Sequence, residues 1–387
     1  MRTRGRKQQV EDNAAVASSS DGGSQVAKTS SSSMSPTPAA NNKHAPPVSP
    51  SVVRIRKVES SGGSRSTASS SASQQQSKIP ALLRFPLIVI LNMALSAVGS
   101  ALAYPYTKAV VAAHERPLEA WDEAAVVLGW RVVELALGWF GNYDSYDLTA
   151  MNVLSHGPPL YLLYAFYEVP APALLLSLAI ETLSTYVPFR LLRPLSRAHA
   201  DPRRAPNAEI VADRPIALLT TLLAGAIYSV TLFTAYATYL PTYMAVYFRG
   251  LPSLSAAYLD GAGATTWVNG MLPSSLALGF AARAFVFTPS EAADVDERRR
   301  REVDRFDPET ASLAETVRWN GWWGWSDQTR AVVRRTVLLS VVTGANAFIH
   351  ARLAVRGVET EGAVAWAAVW VVAAALTGVA LGFVGSV

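Results

Sequence analysis

Cysteine is absent from the 387 residues. That excludes a disulfide framework, thiol catalysis and Cys-ligated zinc, and leaves the compartment open. Charge is scarce as well: 16% of residues are charged and 50% hydrophobic, against the roughly 25% charged that soluble domains carry. An ordinary soluble enzyme is therefore disfavoured. No HExxH, GxSxG, P-loop or DxDxDG pattern occurs. Two of the five histidines, His44 and His199, fall in polar segments, so no His-rich metal site is expected, and neither a metal nor any other cofactor is implied.

Two local absences divide the chain. Residues 1–80 contain no Phe, Trp or Tyr but twenty serines. A segment so poor in apolar side chains cannot offset its chain entropy and is expected to be disordered. It carries eleven Lys/Arg and four Asp/Glu, a charge of +7, which leaves −2 for residues 81–387 out of the net +5. It has no apolar h-region of the kind a cleaved secretory signal needs, and Glu11 and Asp12 interrupt any basic presequence. The basic start RTRGRK and the patch at Arg54, Arg56 and Lys57 lack aromatics for base stacking, so anionic lipid headgroups, or plain solvation, are preferred to nucleic acid. Ser35, Thr37 and Ser49 precede prolines and offer phosphorylation sites that would lower the tail's charge.

From Leu82 onward, apolar stretches alternate with short polar ones. Crossing about 30 Å of hydrocarbon takes about 20 apolar residues. Stretches near 85–104, 124–140, 151–168, 171–189, 215–239, 265–287, 336–351 and 363–385 are the candidate spans. Arginine sorting tests the count. The basic tail, the 190–214 loop with six Arg and the 288–335 loop with nine belong on one cytosolic side, whereas 105–123, 240–263 and 352–362 hold two, one and two Lys/Arg. That alternation requires an even number of spans before Arg190. The expected fold is therefore an all-α polytopic transmembrane bundle of about eight spans, following a disordered tail, with both termini cytosolic. A version with two spans before Arg190, in which 151–189 forms one re-entrant hairpin, has the same parity.

Several polar residues inside these stretches are candidates for chemistry. Arg131 and Glu134 are three apart on one helical face, a spacing suited to an ion pair. Glu181 follows ten apolar or small residues, and an intramembrane acid is a functional candidate by default, with Arg131 or His156 as partner. Asp144, Asp147 and His156 could bind metal or act as an acid–base set. The competing reading makes the first two caps or turn formers, and puts His156 at a helix break before Gly157 and Pro158. Arg283 is expected to snorkel to its helix end. The stretch WNGWWGW holds Trp319, Trp322, Trp323 and Trp325, with Arg318 and Arg330 beside it. Indoles and arginines in that density suit the lipid headgroup boundary.

The stretches GWFGNYDSYDL (138–148) and STYVPFRLLRPLS (184–196), the Trp-rich segment and GVETEGAVAWAAVW (357–370) together resemble a family of fungal multi-pass membrane proteins. The resemblance covers roughly residues 82–387. It implies topology and carries over no activity and no catalytic residue.

With no complete catalytic constellation, a long charged tail and an interfacial Trp/Arg segment, the leading expectation is a non-enzymatic membrane scaffold, tether or assembly partner. Its partners would be the lipid bilayer, anionic headgroups and a protein engaged through the tail. Its site would be the endomembrane system, in the ER or nuclear envelope, with the mitochondrial inner membrane as alternative. A transporter or channel using Arg131, Glu134 and Glu181 is the second reading. An intramembrane lipid-modifying enzyme using Asp144, Asp147 and His156 is the third.

Overall fold

Uncharged runs rich in Leu and Ala favour helix, and a chain in lipid must satisfy its backbone groups within each segment. The computed structural model describes residues 80–114, 121–201, 213–258, 262–287, 306–308 and 310–385. The expected tail lies outside them except for Pro80, as does the run Arg298–Arg301. What is described is helical: α1 (Ala81–His114), α2 (Trp121–Phe140), α3 (Ser145–Phe166), α4 (Ala171–Leu192), α5 (Arg214–Thr238), α6 (Leu272–Val286), α7 (Asp327–Ile349) and α8 (Thr360–Gly385). A π turn, Trp267–Met271, and a short helix, Ala262–Thr266, prolong α6 backwards, and a second π turn, His350–Ala354, prolongs α7. The extended backbone among the described residues includes one isolated bridge, between Phe248 and Val358.

Several boundaries differ from the sequence reading. The helix expected to begin at 151 begins at Ser145, because the Asp144 side chain accepts from the amides of Tyr146 and Asp147 and caps it. It also runs unbroken through Pro158 and Pro159, where a break was expected. Prolines are tolerated inside membrane helices when neighbouring elements cover the freed carbonyls. α3 and α4 are separate helices of 22 residues each, about 33 Å long at 1.5 Å per residue, which does not fit a re-entrant hairpin. The segment holding Arg330, Arg334 and Arg335 is likewise part of α7, which starts at a Ser326 cap accepting from the Thr329 amide, nine residues before the expected 336.

Contacts sort the helix ends into two sets. At one end, Phe85 of α1 lies 5.6 Å from Phe140 of α2, and Trp139 of α2 lies 6.4 Å from Phe189 of α4. There too the Ser196 amide after α4 donates to Asp144 before α3, Arg335 of α7 donates to the Phe285 carbonyl of α6, and Gln328 of α7 donates to the Gly385 carbonyl of α8. At the other end, Phe166 of α3 lies 5.9 Å from Tyr236 of α5, and the Glu359 amide donates to the Tyr247 carbonyl. The core near that second end is aromatic: Tyr161, Phe166, Tyr228, Trp366 and Trp370 are buried, with the two indoles 5.6 Å apart and edge-to-face.

Five helices are long and apolar enough to cross a membrane: the segments Leu82–Lys108, Ala171–Leu192, Arg214–Thr238, Gln328–Ala354 and Thr360–Gly385. The remaining expected spans fall on α2, α3 and the π-interrupted α6, which do not meet that criterion. Large apolar side chains on the outer faces, among them Leu219, Val230 and Phe383, are exposed, as a hydrocarbon solvent permits.

Candidate functional site

Arg131 on α2 is the hub of a polar cluster among α1–α4. Its guanidinium lies 3.1 Å from Glu134 one turn on and 2.9 Å from Glu181 on α4. It also donates to Asn92 of α1 at 3.2 Å, to Thr185 of α4 at 2.8 Å and to Asn152 of α3 at 3.4 Å. Four helices thus converge on one cation. Asn92, Glu134, Asn152 and Thr185 are buried, so the network meets the requirement that charges inside a bundle be paired and hydrogen-bonded.

The two acids sit in different surroundings. The void beside Arg131 and Glu134 is about 10 Å³, at the lower limit for a single water. Glu181 also accepts from Ser96 at 3.3 Å and lines a cavity of about 420 Å³ together with His156, His350, Lys108 and Ser177. The His156 and His350 rings are 5.7 Å apart, and His156 is fixed by Nδ1 contacts to Ser155 Oγ at 3.1 Å and the Asn152 carbonyl at 3.2 Å. Arg131, Glu134 and Glu181 therefore meet, but only Glu181 faces open space.

A second cluster occupies the end where α2 stops and α3 starts. Besides capping α3, Asp144 faces His199 Nδ1 at 2.6 Å and accepts from the Ser196 amide at 3.0 Å. Burial alone would raise the Asp144 carboxyl, but hydrogen bonds from His199, the Asp147 amide and Ser196 hold it well below the usual range. Burial would likewise lower His199, and the Asp144 carboxylate outweighs it and raises the imidazole instead. Asp147 is gripped by both nitrogens of Arg335, at 2.7 and 3.2 Å, the fork geometry of the stronger ion pairs. The Arg335 guanidinium also lies over Tyr143 at 5.1 Å and Phe285 at 5.3 Å. Arg193, after α4, donates to the Trp139 carbonyl at 2.8 Å and to Asn142, and lies over the Trp139 ring at 4.9 Å, so that it closes the last turn of α2.

Asp144, Asp147 and His199 bring three ligand-type atoms within 4.8 Å of one another. Their lone pairs are spoken for: three amides and a histidine take Asp144, and a guanidinium holds the place a cation would occupy beside Asp147. These donors do not suit a metal. His156 is not among them. It lies nine residues beyond Asp147 on the same helix, about 13 Å along the axis, and the structure does not bring the proposed Asp144, Asp147 and His156 set together. His199 reads in the sequence as a histidine of a polar segment and Arg335 as one of the nine arginines of 288–335, and nothing there links either to Asp144 or Asp147. They come from 52 and 188 residues further along the chain than Asp147, and no spacing rule links them.

The C-terminal part of the chain, which supplies Arg335, Phe285 and His350, is similar to a known domain. Residues 213–384 match the model of the Bouquet formation protein 3 C-terminal domain. No curated protein and no solved structure matches the chain. The match runs from the start of α5 to the penultimate residue of α8 and leaves α1–α4 outside. The Arg131 cluster lies wholly outside the match, whereas the Asp144 cluster crosses its border, with Asp147 outside and Arg335 inside, as does the cavity beside Glu181, with His156 outside and His350 inside.

The Trp-rich segment lies within the Bouquet formation protein 3 match. A capping box at Ser312 and Glu315 starts a short helix, Leu313–Arg318, which passes into a π turn, Trp319–Trp323. Trp319 stacks on Phe306 with ring centroids 4.2 Å apart, and Trp322 and Trp325 are 6.0 Å apart. Leu313 and Val317 point outward, 85% and 69% exposed. The segment thus offers an apolar face, with Arg318 at its end and Arg330 in the first turn of α7. Arg283 stands in the last turn of α6.

Proposed function

We propose that the chain is a membrane-embedded, non-enzymatic scaffold or assembly partner of an endomembrane, either ER or nuclear envelope. In this reading residues 81–387 form an eight-span domain, and residues 1–80 are a basic cytosolic tail available to a protein partner. The observation that carries it is the match of residues 213–384 to a domain named for bouquet formation and not for a reaction. The use of polar groups supports it. Arg131, Arg193, Arg335, Asp144 and Asp147 join helices to one another, and a group so occupied serves cohesion. Three further spans come from α2, α3 and α6, which share their ends with the five long apolar helices. The exposed Leu313 and Val317, the indoles of Trp319, Trp322 and Trp325, and the Arg318 and Arg330 cations suit a segment resting on cytosolic headgroups.

The test is in-cell crosslinking with partner identification, on the full chain and on a chain lacking residues 1–80. A scaffold captures a defined protein, and loses it on deletion if the tail is the grip. A purified protein that captures nothing and turns over a lipid defeats the reading.

A second reading, passage of a polar solute, draws on the 420 Å³ cavity beside Glu181. Among the described residues that cavity reaches Glu181, whereas the neighbouring void at Arg131 and Glu134 is only about 10 Å³, which favours a dead end over a conduit. Uptake of labelled solutes into vesicles carrying the protein, compared with E181Q, decides it.

A further inference from the structure

Between α2 and α7, on the outer surface at the Asp144 end, runs a groove of about 280 Å³. Its walls are Val133, Ala136 and Phe140 from α2, Tyr143 from the connection, and Leu338 from α7, and Arg334 stands at its rim. From Phe140 to Val133 the groove follows two helical turns, about 10 Å along the axis. Val133 and Phe140 are 44% and 76% exposed, so the groove opens outward and not into the bundle. In a bilayer such a surface is filled by hydrocarbon chains.

Arg334 is the one charged residue among those lining this groove. Arg334 is exposed and sits one turn outward of Leu338, near the start of α7. The two acids close by are already engaged: Asp147 by Arg335 and Asp144 by His199. The Arg334 charge is therefore not offset within the cluster. A guanidinium directly above an apolar slot is complementary to an amphiphile whose anionic head adjoins its chain.

We propose that this groove binds an acyl chain of an anionic glycerophospholipid, with the lipid phosphate paired to Arg334. The assignment rests on the reading that α2 and α7 cross the membrane, and adds a particular lipid site to it. Native mass spectrometry of the full chain in mild detergent, with phosphatidylglycerol and phosphatidylcholine supplied at equal concentration, tests it. The expected result is retention of phosphatidylglycerol over phosphatidylcholine by about fivefold, the worth of one basic group near an anionic headgroup. R334Q reduces that ratio to near unity without changing the melting temperature. A136W, which fills the slot, lowers retention of both lipids. Equal retention of the two lipids by the unaltered chain, or a ratio untouched by R334Q, overturns the proposal. So does displacement of phosphatidylglycerol by equimolar oleate, which would make the occupant a free fatty acid. Accessibility of Ser326→Cys from the cytosolic side is the separate measure of whether α7 spans. A lost lipid preference with that labelling intact sinks the site alone.

Discussion

Arg131 balances two carboxylates while donating to two amides and a hydroxyl, so removing it leaves more exposed than removing any of its partners. Arg131→Met strands Glu134 and Glu181 beside each other in a low-dielectric bundle. Breaking a buried ionic network from one side costs about 3–5 kcal/mol, whereas exchanging the whole set for apolar residues is often neutral. R131M should therefore melt well below the unaltered protein in detergent, and R131M combined with E134L and E181L should regain most of the loss. If the triple variant melts as low as the single one, the network is not what holds α1–α4 together. The Asp144–His199 pair gives a pH prediction of defined sign. Asp144 is lowered, so its stabilisation is present above the unfolded carboxylate value of about 3.9 and is lost as pH falls through the lower folded value. His199 is raised, so its stabilisation is present below about 6.5 and is lost as pH rises through the higher folded value. Both hold between about pH 4 and pH 6.5. The melting temperature of the unaltered chain should exceed that of H199A by more at pH 6 than at pH 8.5, and an equal gap at the two pH values contradicts the pairing. The residues of these clusters differ in how readable they are. Arg131 and Glu134 declare themselves by spacing and Glu181 by being an acid among apolar neighbours. Asn92, Asn152 and Thr185 carry no mark of their role, because an uncharged polar residue in a helix has many bland uses. His199 looks like an ordinary loop histidine until the fold sets it against Asp144.

Between elements, closeness depends on what is missing from a side chain. α5 and α6 approach so closely at Gly225 and Gly279 that a Cβ at Gly279 would lie 2.5 Å from the Thr221 carbonyl oxygen and 2.6 Å from the Gly225 nitrogen. Those are backbone atoms, which cannot rotate aside, so any larger residue must separate the helices. Small residues at membrane helix crossings serve this purpose. Gly279→Val is expected to cost about 1–3 kcal/mol by overpacking, seen as a lower melting temperature. Gly129→Ala is the control: nothing lies within 4 Å of the new methyl group, so that variant should melt at or slightly above the parent. A G279V protein as stable as the parent would mean that the crossing is looser than drawn. Helix ends were harder to read than helix existence. The start of α3 hides in a Gly/Asn/Tyr/Asp stretch that reads as a loop, and only the Asp144 cap, completed by His199 and Ser196 from beyond α4, turns it into a helix start. Pro158 and Pro159 read as a break because water is the assumed solvent. The surrounding helices remove that option for the freed carbonyls.

Over the whole molecule, hydropathy and charge placement say different things, and accessibility can decide between them. By length and apolarity alone five helices are fit to cross, because Arg131 and Glu134 lower the apparent hydropathy of α2, Asp147 and His156 lower that of α3, and α6 itself has 15 residues. Those polar groups face partners inside the bundle and not lipid, so they conceal a span without forbidding one. Arginine sorting across the loops asks for eight. The two counts assign opposite sides to the stretches flanking α7. With five crossings and a cytosolic start, Ser326 faces the lumen and Arg356 the cytosol. With eight, Ser326 is cytosolic and Arg356 luminal. The absence of cysteine lets a single introduced thiol report without background, and both positions are exposed. In sealed vesicles with the cytosolic face outward, an impermeant maleimide should label Ser326→Cys at once and Arg356→Cys only after permeabilisation. The reverse pattern would leave α2, α3 and α6 short of crossing, and would move the Trp319–Trp325 segment and the Arg334 groove to the luminal leaflet. There the anionic surface potential that attracts arginine is no longer available.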